Sequence, residues 1–196
     1  LGAHLDSMRR EGFSDYRIAP AGDRRVYAPL IYIEPFDGSN RNILGFDPLA
    51  VDAEREAIER ARDTGAMTIS GKLVLAQDHG EMAPGFVMYV PIYRYGFPAT
   101  DQALRQQNFI GWVDAPYRIA DLMSRILPDG LKDTDFEIYD GAKTSANLLY
   151  DSDGEPSLAG SPVSERQTDV QFVFGGHTWT LAFRGLPDSG TAEVRQ

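Results

Sequence analysis

Leu1, Leu5 and Met8 stand at i, i+4 and i+7, the spacing of one helical face, and Gly12 closes the segment. Phe13 to Ile18 then alternates apolar and polar residues, and Ala21-Gly22-Asp23 reads as a turn. Val26 to Glu34 is aromatic and β-branched, which predicts a strand, with Pro29 marking an edge or bulge. Asp47-Pro48 is a helix-start signal: Asp as N-cap, Pro at the first helical position. The helix predicted from there to Thr64 carries Ala53, Ala57, Ile58 and Ala61 on one side. Glu54, Arg55, Glu56, Glu59, Arg60 and Arg62 fill the other, and Gly65 suits the C-terminal cap.

Met67 to Leu75 and Gly85 to Arg94 read as strands joined by a polar turn at Asp78-His79-Gly80-Glu81. Asp101 to Gln107 reads as a short helix capped by Thr100, and Asn108 to Asp114 as another strand. Pro116 is expected to start a helix with Ile119, Leu122, Met123, Ile126 and Leu127 on one face. Four short strands follow, at Phe136 to Asp140, Asn147 to Tyr150, Val170 to Phe174 and His177 to Phe183. Gly175-Gly176 makes a tight hairpin between the last two. Asp151 to Thr168 reads as an exposed loop and Gly185 to Gln196 as a tail. Short turns between strands predict antiparallel pairing, so the fold class is α+β, with a break near Ala115-Pro116 or Pro128-Gly130.

Charge and composition narrow the function. The 196 residues hold 19 basic and 29 acidic side chains, a net charge of −10. That balance opposes nucleic-acid binding, which needs Lys and Arg to neutralise phosphates. With no cysteine, disulfides, zinc ribbons and thiol nucleophiles are excluded. The longest apolar run, Phe86 to Tyr93, is far short of the roughly 20 residues that span a bilayer. The N-terminal residues lack a basic region followed by an apolar one, so no signal peptide is expected, and the missing initiator Met suggests an excised fragment.

The chemical motifs are near misses. Gly65 to Lys72 (G-A-M-T-I-S-G-K) has five residues between its glycines where a phosphate loop needs four. Asp151-Ser152-Asp153-Gly154 begins like a calcium loop, but its twelfth position is Pro162. His4, His79 and His177 form no zinc-ligand pair, no G-x-S-x-G elbow is present, and no carboxylate dyad can be selected. No cofactor and no metal are therefore expected, and a binding module is favoured over an enzyme. Thr68, Ser70 and Lys72 alternate with Met67, Ile69, Gly71 and Leu73, which predicts three polar groups on one sheet face. Facing a pocket, they would grip a small polar or anionic molecule.

The run from Tyr27 to Asp114 resembles a CHASE domain, the extracytoplasmic sensor of many histidine kinases and cyclases. The resemblance is carried by Y-A-P-L-I-Y-I-E-P (Tyr27 to Pro35), D-G-S-N-R-N-I-L-G-F-D (Asp37 to Asp47) and E-R-E-A-I-E-R-A-R-D-T-G (Glu54 to Gly65). It is completed in the same order by G-F-V-M-Y-V-P-I-Y-R (Gly85 to Arg94) and I-G-W-V-D-A-P-Y-R-I-A-D-L (Ile110 to Leu122). It implies a dimerising stalk helix (residues 1–12), a membrane-distal PAS-like ligand-binding subdomain (13–115), a helix with a membrane-proximal PAS-like subdomain (116–187) and a tail toward a second membrane span (188–196). It further implies no catalysis in this chain, a periplasmic or extracellular location, a homodimer through the N-terminal helix and a membrane-anchored kinase or cyclase as parent.

Plant members of that family hold the purine of a cytokinin with an aspartate, and the matching position here is Pro35, which offers no donor or acceptor. The family's pocket threonine aligns with Ser70, and Ile33 matches a small wall residue. Ile33, Pro35, Ser70, Phe86, Met88 and Gly111 are the expected ligand-binding walls, with Lys72 added for its place beside Ser70. The alternative is a sensor fold that binds a partner protein instead of a small molecule.

Overall fold

The structure is a computed structural model and describes residues 1–78, 83–154 and 166–186. The turn at His79-Gly80-Glu81, most of the Asp151 to Thr168 loop and the tail from residue 187 lie outside the described residues.

Helix α1 (Gly2–Arg10) ends at Gly12, whose φ of 101° only glycine adopts easily. The chain then runs without regular structure to a 3₁₀ turn at Gly38–Ile43 and a second at Pro48–Ala50. The strand expected over Val26 to Glu34 does not form a ladder. Its one regular partner is the loop ahead of Asp47: Leu30 N–H donates to Phe46 O (2.8 Å) and Gly45 N–H to Leu30 O (2.9 Å). A loop offers no second row of acceptors, and Pro29 supplies no donor. Asp47 anchors this segment from full burial. It accepts from Ala28 N (3.3 Å), Leu49 N (3.2 Å) and the Arg24 guanidinium (3.1 Å). It therefore caps the 3₁₀ turn, and α2 (Asp52–Thr64) begins only at Asp52. Gly65 closes α2 in the left-handed conformation, as expected.

The first sheet is antiparallel. Its central strand is β3 (Pro84–Tyr93), with β4 (Phe109–Arg118) on one side. On the other side β1 (Thr68–Ile69) and β2 (Leu73–Val74) pair with successive stretches of β3. The single strand expected over Met67 to Leu75 is thus broken at Ser70-Gly71-Lys72, and Lys72 leaves the row shared by Thr68 and Ser70. Helix α3 (Gln102–Asn108) is capped by Asp101, whose carboxylate accepts from Leu104 N (2.9 Å), rather than by Thr100. Pro116 does not start a helix. It sits in β4, the sheet's outer strand, which tolerates the missing N–H, and α4 (Ile119–Ile126) follows.

The second sheet has the order β6–β5–β8–β7, all antiparallel. Its strands are β5 (Thr134–Asp140), β6 (Leu148–Asp151), β7 (Gln167–Phe174) and β8 (His177–Gly185). Gly175 and Gly176, at φ of 54° and 82°, form the predicted hairpin. Helices beside two antiparallel sheets make the fold α+β.

Two clusters form the core. Alternation along β3 sends Val87 and Tyr89 to one face, against Ala57, Ile58 and Ala61 of α2. It sends Phe86 and Met88 to the other, where Phe86 meets Ile69, Ile119 and Met123 together with Phe136, Ile138 and Trp179 of the second sheet. The Phe86 ring stacks on Tyr117 (5.3 Å between centroids) and stands edge-on to Trp179 (5.2 Å). The two sheets therefore share one core. The hairpin tip reinforces the joint: Ile69 N–H donates to Gly175 O (2.9 Å). A Cβ on Gly175 would lie 2.8 Å from Ile69 N, a backbone atom that cannot give way, so the tip presses close enough to require glycine.

Removing the shared ring should loosen both sheets together. Phe86→Ala is expected to cost about 3–5 kcal/mol, which for a chain of this size lowers Tm by about 10 °C. Fluorescence of Trp112 in the first sheet and Trp179 in the second should report one coincident transition. Two separate transitions in the wild-type protein would disprove the shared core.

Candidate functional site

The face of the first sheet under α2 holds a cavity of about 20 Å³, room for roughly one water. Apolar side chains such as Leu30, Phe46 and Val87 form most of its wall. Four polar residues complete it: Glu54, Gln77, Tyr89 and Asp114. Secondary structure explains three of these placements. Glu54 lies three and four residues before Ala57 and Ile58 and seven before Ala61, so helical geometry puts it on the buried face. Tyr89 and Asp114 are direct cross-strand partners, so their side chains leave the same face of the sheet.

The hydroxyl of Tyr89 donates to Glu54 Oε2. Thr68, the other neighbour of Tyr89, turns its hydroxyl to Ala57 O (2.7 Å) and fastens β1 to α2. Gln77 is only 8% exposed, and its amide is not among the buried side-chain groups that lack a partner. Burial raises the Glu54 carboxyl to about 7, with the nearby Asp114 charge adding to the rise and the Tyr89 hydrogen bond opposing it. Burial likewise raises Asp114, against a hydrogen bond from Trp112. Burial and the Glu54 charge push the Tyr89 phenol far up, so it stays protonated. Among the described residues, no Lys, Arg or His lines the cavity.

The residues singled out in the sequence sit elsewhere, and none is among those lining this cavity. Ser70 is buried at the end of β1, where its hydroxyl accepts from Val87 N (2.9 Å) and donates to Gly71 O (2.9 Å). Lys72 turns to the second sheet: its backbone N–H donates to Asp140 Oδ2 (2.7 Å) and its ammonium to Ala146 O (2.8 Å). Asp140 also holds His177 Nδ1 at 3.0 Å. Burial works to raise the Asp140 carboxyl, but His177 and the Lys72 amide bring it below its ordinary range. Phe86 and Met88 belong to the shared core. Ile33 is half-buried and Pro35 exposed in the irregular segment, and Gly111 pairs with Ile92 near the far end of the sheet. The structure thus brings Ser70 and Lys72 to the junction of the two sheets and leaves Ile33, Pro35 and Gly111 apart from them.

The sequence pattern places Glu54 with the polar face of its helix, whereas the structure buries it against the sheet. Its i, i+3, i+4, i+7 relation to Ala57, Ile58 and Ala61 was the signal that could have found it. The alternation of Trp112, Asp114 and Pro116 could have done the same for Asp114.

One other carboxylate group has ligand-like spacing: Asp135, Glu137 and Asp151, with oxygens within 4.8 Å of one another. Arg184 pairs with Asp135 (3.1 Å) and Lys143 lies 3.7 Å from Glu137, but Arg184 also serves Asp153 and Lys143 also serves Asp169, and Asp151 Oδ2 is buried without a hydrogen-bond partner among the described residues. The Asp151 loop start is an Asx turn, its Oδ1 accepting from Asp153 N and Gly154 N.

Fold and sequence together define a sensor domain of the kind found in signalling receptors. The chain matches the CHASE domain family over residues 1–150 and belongs to that family. No curated protein matches it significantly. Among the described residues no helix is long and apolar enough to cross a membrane.

Linkage gives Glu54 a testable signature. Its carboxyl titrates near 7 in the fold against an ordinary 4.5, so folding takes up a proton between those values. Its contribution to stability is greatest below pH 4.5 and falls as pH rises to 7, by about 3 kcal/mol at most. Glu54→Gln should therefore be more stable than wild type above pH 7 and lose that advantage below pH 5. Urea unfolding from pH 5 to 8 measures it; a constant difference across the range would contradict the assignment.

Proposed function

We propose that this chain is the extracytoplasmic ligand-binding sensor of a membrane receptor. It holds a small polar molecule in the cavity between α2, the first sheet and the Leu30-to-Pro48 segment, and it passes the signal through the second sheet to a cytoplasmic kinase or cyclase module. One observation carries the reading. Glu54 and Asp114, two carboxyls that burial makes costly to ionise, line one cavity beside Tyr89 and Gln77. Buried polar groups are normally matched by hydrogen-bond partners. A bound polar molecule would supply further partners to these carboxyls. Of the polar and anionic ligands left open by the sequence, the polar class suits this lining, because an anion would meet acidic groups and, among the described residues, no base.

The Ser70-Gly71-Lys72 link suits transmission. Ser70 is tied to β3, whose face carries Val87 and Tyr89, while Lys72 is tied to Asp140 and Ala146 on the other sheet. A ligand acts on such a link only through its different affinity for two arrangements of the domain.

A second reading, a sensor fold that binds a partner protein, is favoured by the cavity's small size. Exposed Val90, Ile92 and Val113, which share one face at the open end of the first sheet, would then be the contact surface.

A thermal-shift screen of amino acids, amines, dicarboxylates and adenine derivatives tests the first reading against the second. A ligand present at 100 times its Kd should stabilise the fold by about 2.7 kcal/mol, a shift of about 5–10 °C for a chain of this size. Ala76→Phe, placed in the cavity wall, should abolish the shift while the variant stays folded. Stabilisation that survives Ala76→Phe would remove this cavity as the ligand's place, and none from any class would sink the small-molecule reading.

A further inference from the structure

Apart from the cavity under α2, the geometry of the second sheet points to a binding site for a hard divalent cation of calcium's size. Its ligands are the carboxylates of Asp135 and Glu137 in β5 and of Asp151 at the end of β6.

Strand register brings these groups together. Asp135 and Glu137 stand two residues apart in β5, and Glu137 is the direct cross-strand partner of Asp151, so all three side chains leave one face of the sheet. One oxygen from each lies within 4.8 Å of the others. Two oxygens on a single ion can be no further apart than twice the bond length, which is about 5 Å for calcium and about 4 Å for magnesium. The cluster falls inside the calcium limit. Its donors are all carboxylate oxygens, the class that hard cations take in preference to zinc or copper.

Two buried atoms without partners separate this cluster from an ordinary acidic patch. Asp151 fixes its Oδ1 on the N–H groups of Asp153 and Gly154, while its Oδ2 is buried with no partner among the described residues. Tyr139, the next residue on the same face of β5, is fully buried, and its hydroxyl also lacks a hydrogen-bond partner among the described residues. That hydroxyl stands among the charges of the cluster: burial first, then Glu137, Asp151 and Asp135, keep its proton in place. Buried polar atoms are normally matched. A bound ion would meet Oδ2 directly and the hydroxyl through a water on the ion.

The nearby cations are stretched over several acids. Arg184 is divided between Asp135 and Asp153, at 3.1 Å from each, and Lys143 between Glu137 (3.7 Å) and Asp169 (3.6 Å). Two cations thus serve four carboxylates, and Asp151 comes as a fifth. Residues 155–165, which follow in the chain, include no Lys, Arg or His. The segment that opens at Asp151 fails as a single-loop calcium motif because Pro162 takes the place of its last ligand; here β5 supplies the further carboxylates.

Thermal unfolding of the whole chain, stripped with EDTA and dialysed, tests the site. Calcium chloride at about 10 mM exceeds the Kd of roughly 10⁻⁴–10⁻³ M of weak oxygen-ligand sites and should raise Tm by about 3–10 °C. Magnesium chloride at the same concentration should give less than half that shift. Asp151→Asn keeps an oxygen for both backbone N–H groups, so the variant should fold. It should lose the calcium shift and, without calcium, melt no lower than wild type, because one of three crowded charges is gone. Terbium chloride gives a second measurement that does not depend on stability. Terbium emits when a tyrosine ring beside it absorbs, so emission should appear on titration, fall with excess calcium and drop sharply in Tyr139→Phe.

The inference is overturned by the absence of a calcium shift, by a shift that magnesium reproduces in full, or by one undiminished in Asp151→Asn. Terbium emission unchanged by Tyr139→Phe would overturn it as well, by placing the ion elsewhere. None of these results bears on the cavity under α2, whose ligand is tested separately.

Discussion

The Phe86 ring is the contact on which the rest of the molecule depends. It belongs to the central strand of the first sheet, yet its neighbours include Trp179 and Phe174 of the second. Strand side chains alternate, so committing Phe86 to the joint commits Val87 and Tyr89 to the opposite face. A slip of one residue would exchange the two sets and bury Tyr89 among apolar rings with nothing to accept its proton. The joint between the sheets and the cavity under α2 are thus two consequences of one register. A large apolar core fixes a small polar site on its far side.

The polar site differs from the other buried carboxylates in how it is satisfied. Asp47, fully buried, takes two backbone N–H groups and the Arg24 guanidinium. Its charge is matched, so it is a structural anchor for the irregular segment. Asp135 is matched in the same way by Arg184 and the Ser152 hydroxyl. Glu54 has the Tyr89 hydroxyl as its hydrogen-bond partner, while the Trp112 indole and its own backbone N–H give Asp114 only partial relief from burial. One hydrogen bond does not offset the desolvation of a carboxylate, so these two groups resist ionisation. That contrast, more than the cavity's shape, separates a site from a scaffold.

Much of the architecture was legible in the sequence because alternation and glycine are strong local signals. The strands from Pro84 onward, the Gly65 cap and the Gly175-Gly176 hairpin follow from residue type and spacing. The misreadings arose where tertiary partners override local pattern. Val26 to Glu34 has strand composition, but a loop is what pairs with it. Met67 to Leu75 alternates cleanly, yet Gly71 and Lys72 are drawn to Asp140 and the strand breaks. Pro116 looks like a helix start until β4 proves to be an outer strand. The cavity was hidden for a related reason. Glu54 sits in a helix dense with charge, and only its distance from Ala57, Ile58 and Ala61 distinguishes it from its solvated neighbours. Asp114 and Gln77 come from a strand and a loop remote in sequence, and only the fold brings them to Glu54.

Helix α2 gives the site a mechanical connection. Glu54 and Arg60 are six residues apart, about 9 Å along a rigid helix. Glu54 reaches the cavity, while Arg60 packs on Gly176 at the tip of the hairpin from the second sheet. The same tip holds β1 through the Gly175 carbonyl, and β1 in turn holds α2 through the Thr68 hydroxyl. Helix, strand and hairpin therefore form a closed loop of contacts around the joint. Close packing makes such a loop resist small displacements. Occupancy of the cavity becomes a signal only if the occupied and empty states favour different seats of α2 against the hairpin. Tight binding that leaves Arg60 and Gly176 where they are would fill the cavity and shift no equilibrium. The groups proposed to meet a ligand, Glu54 and Asp114, and the contact that would carry the output, Arg60 on Gly176, are therefore separable by mutation although one helix joins Glu54 to Arg60.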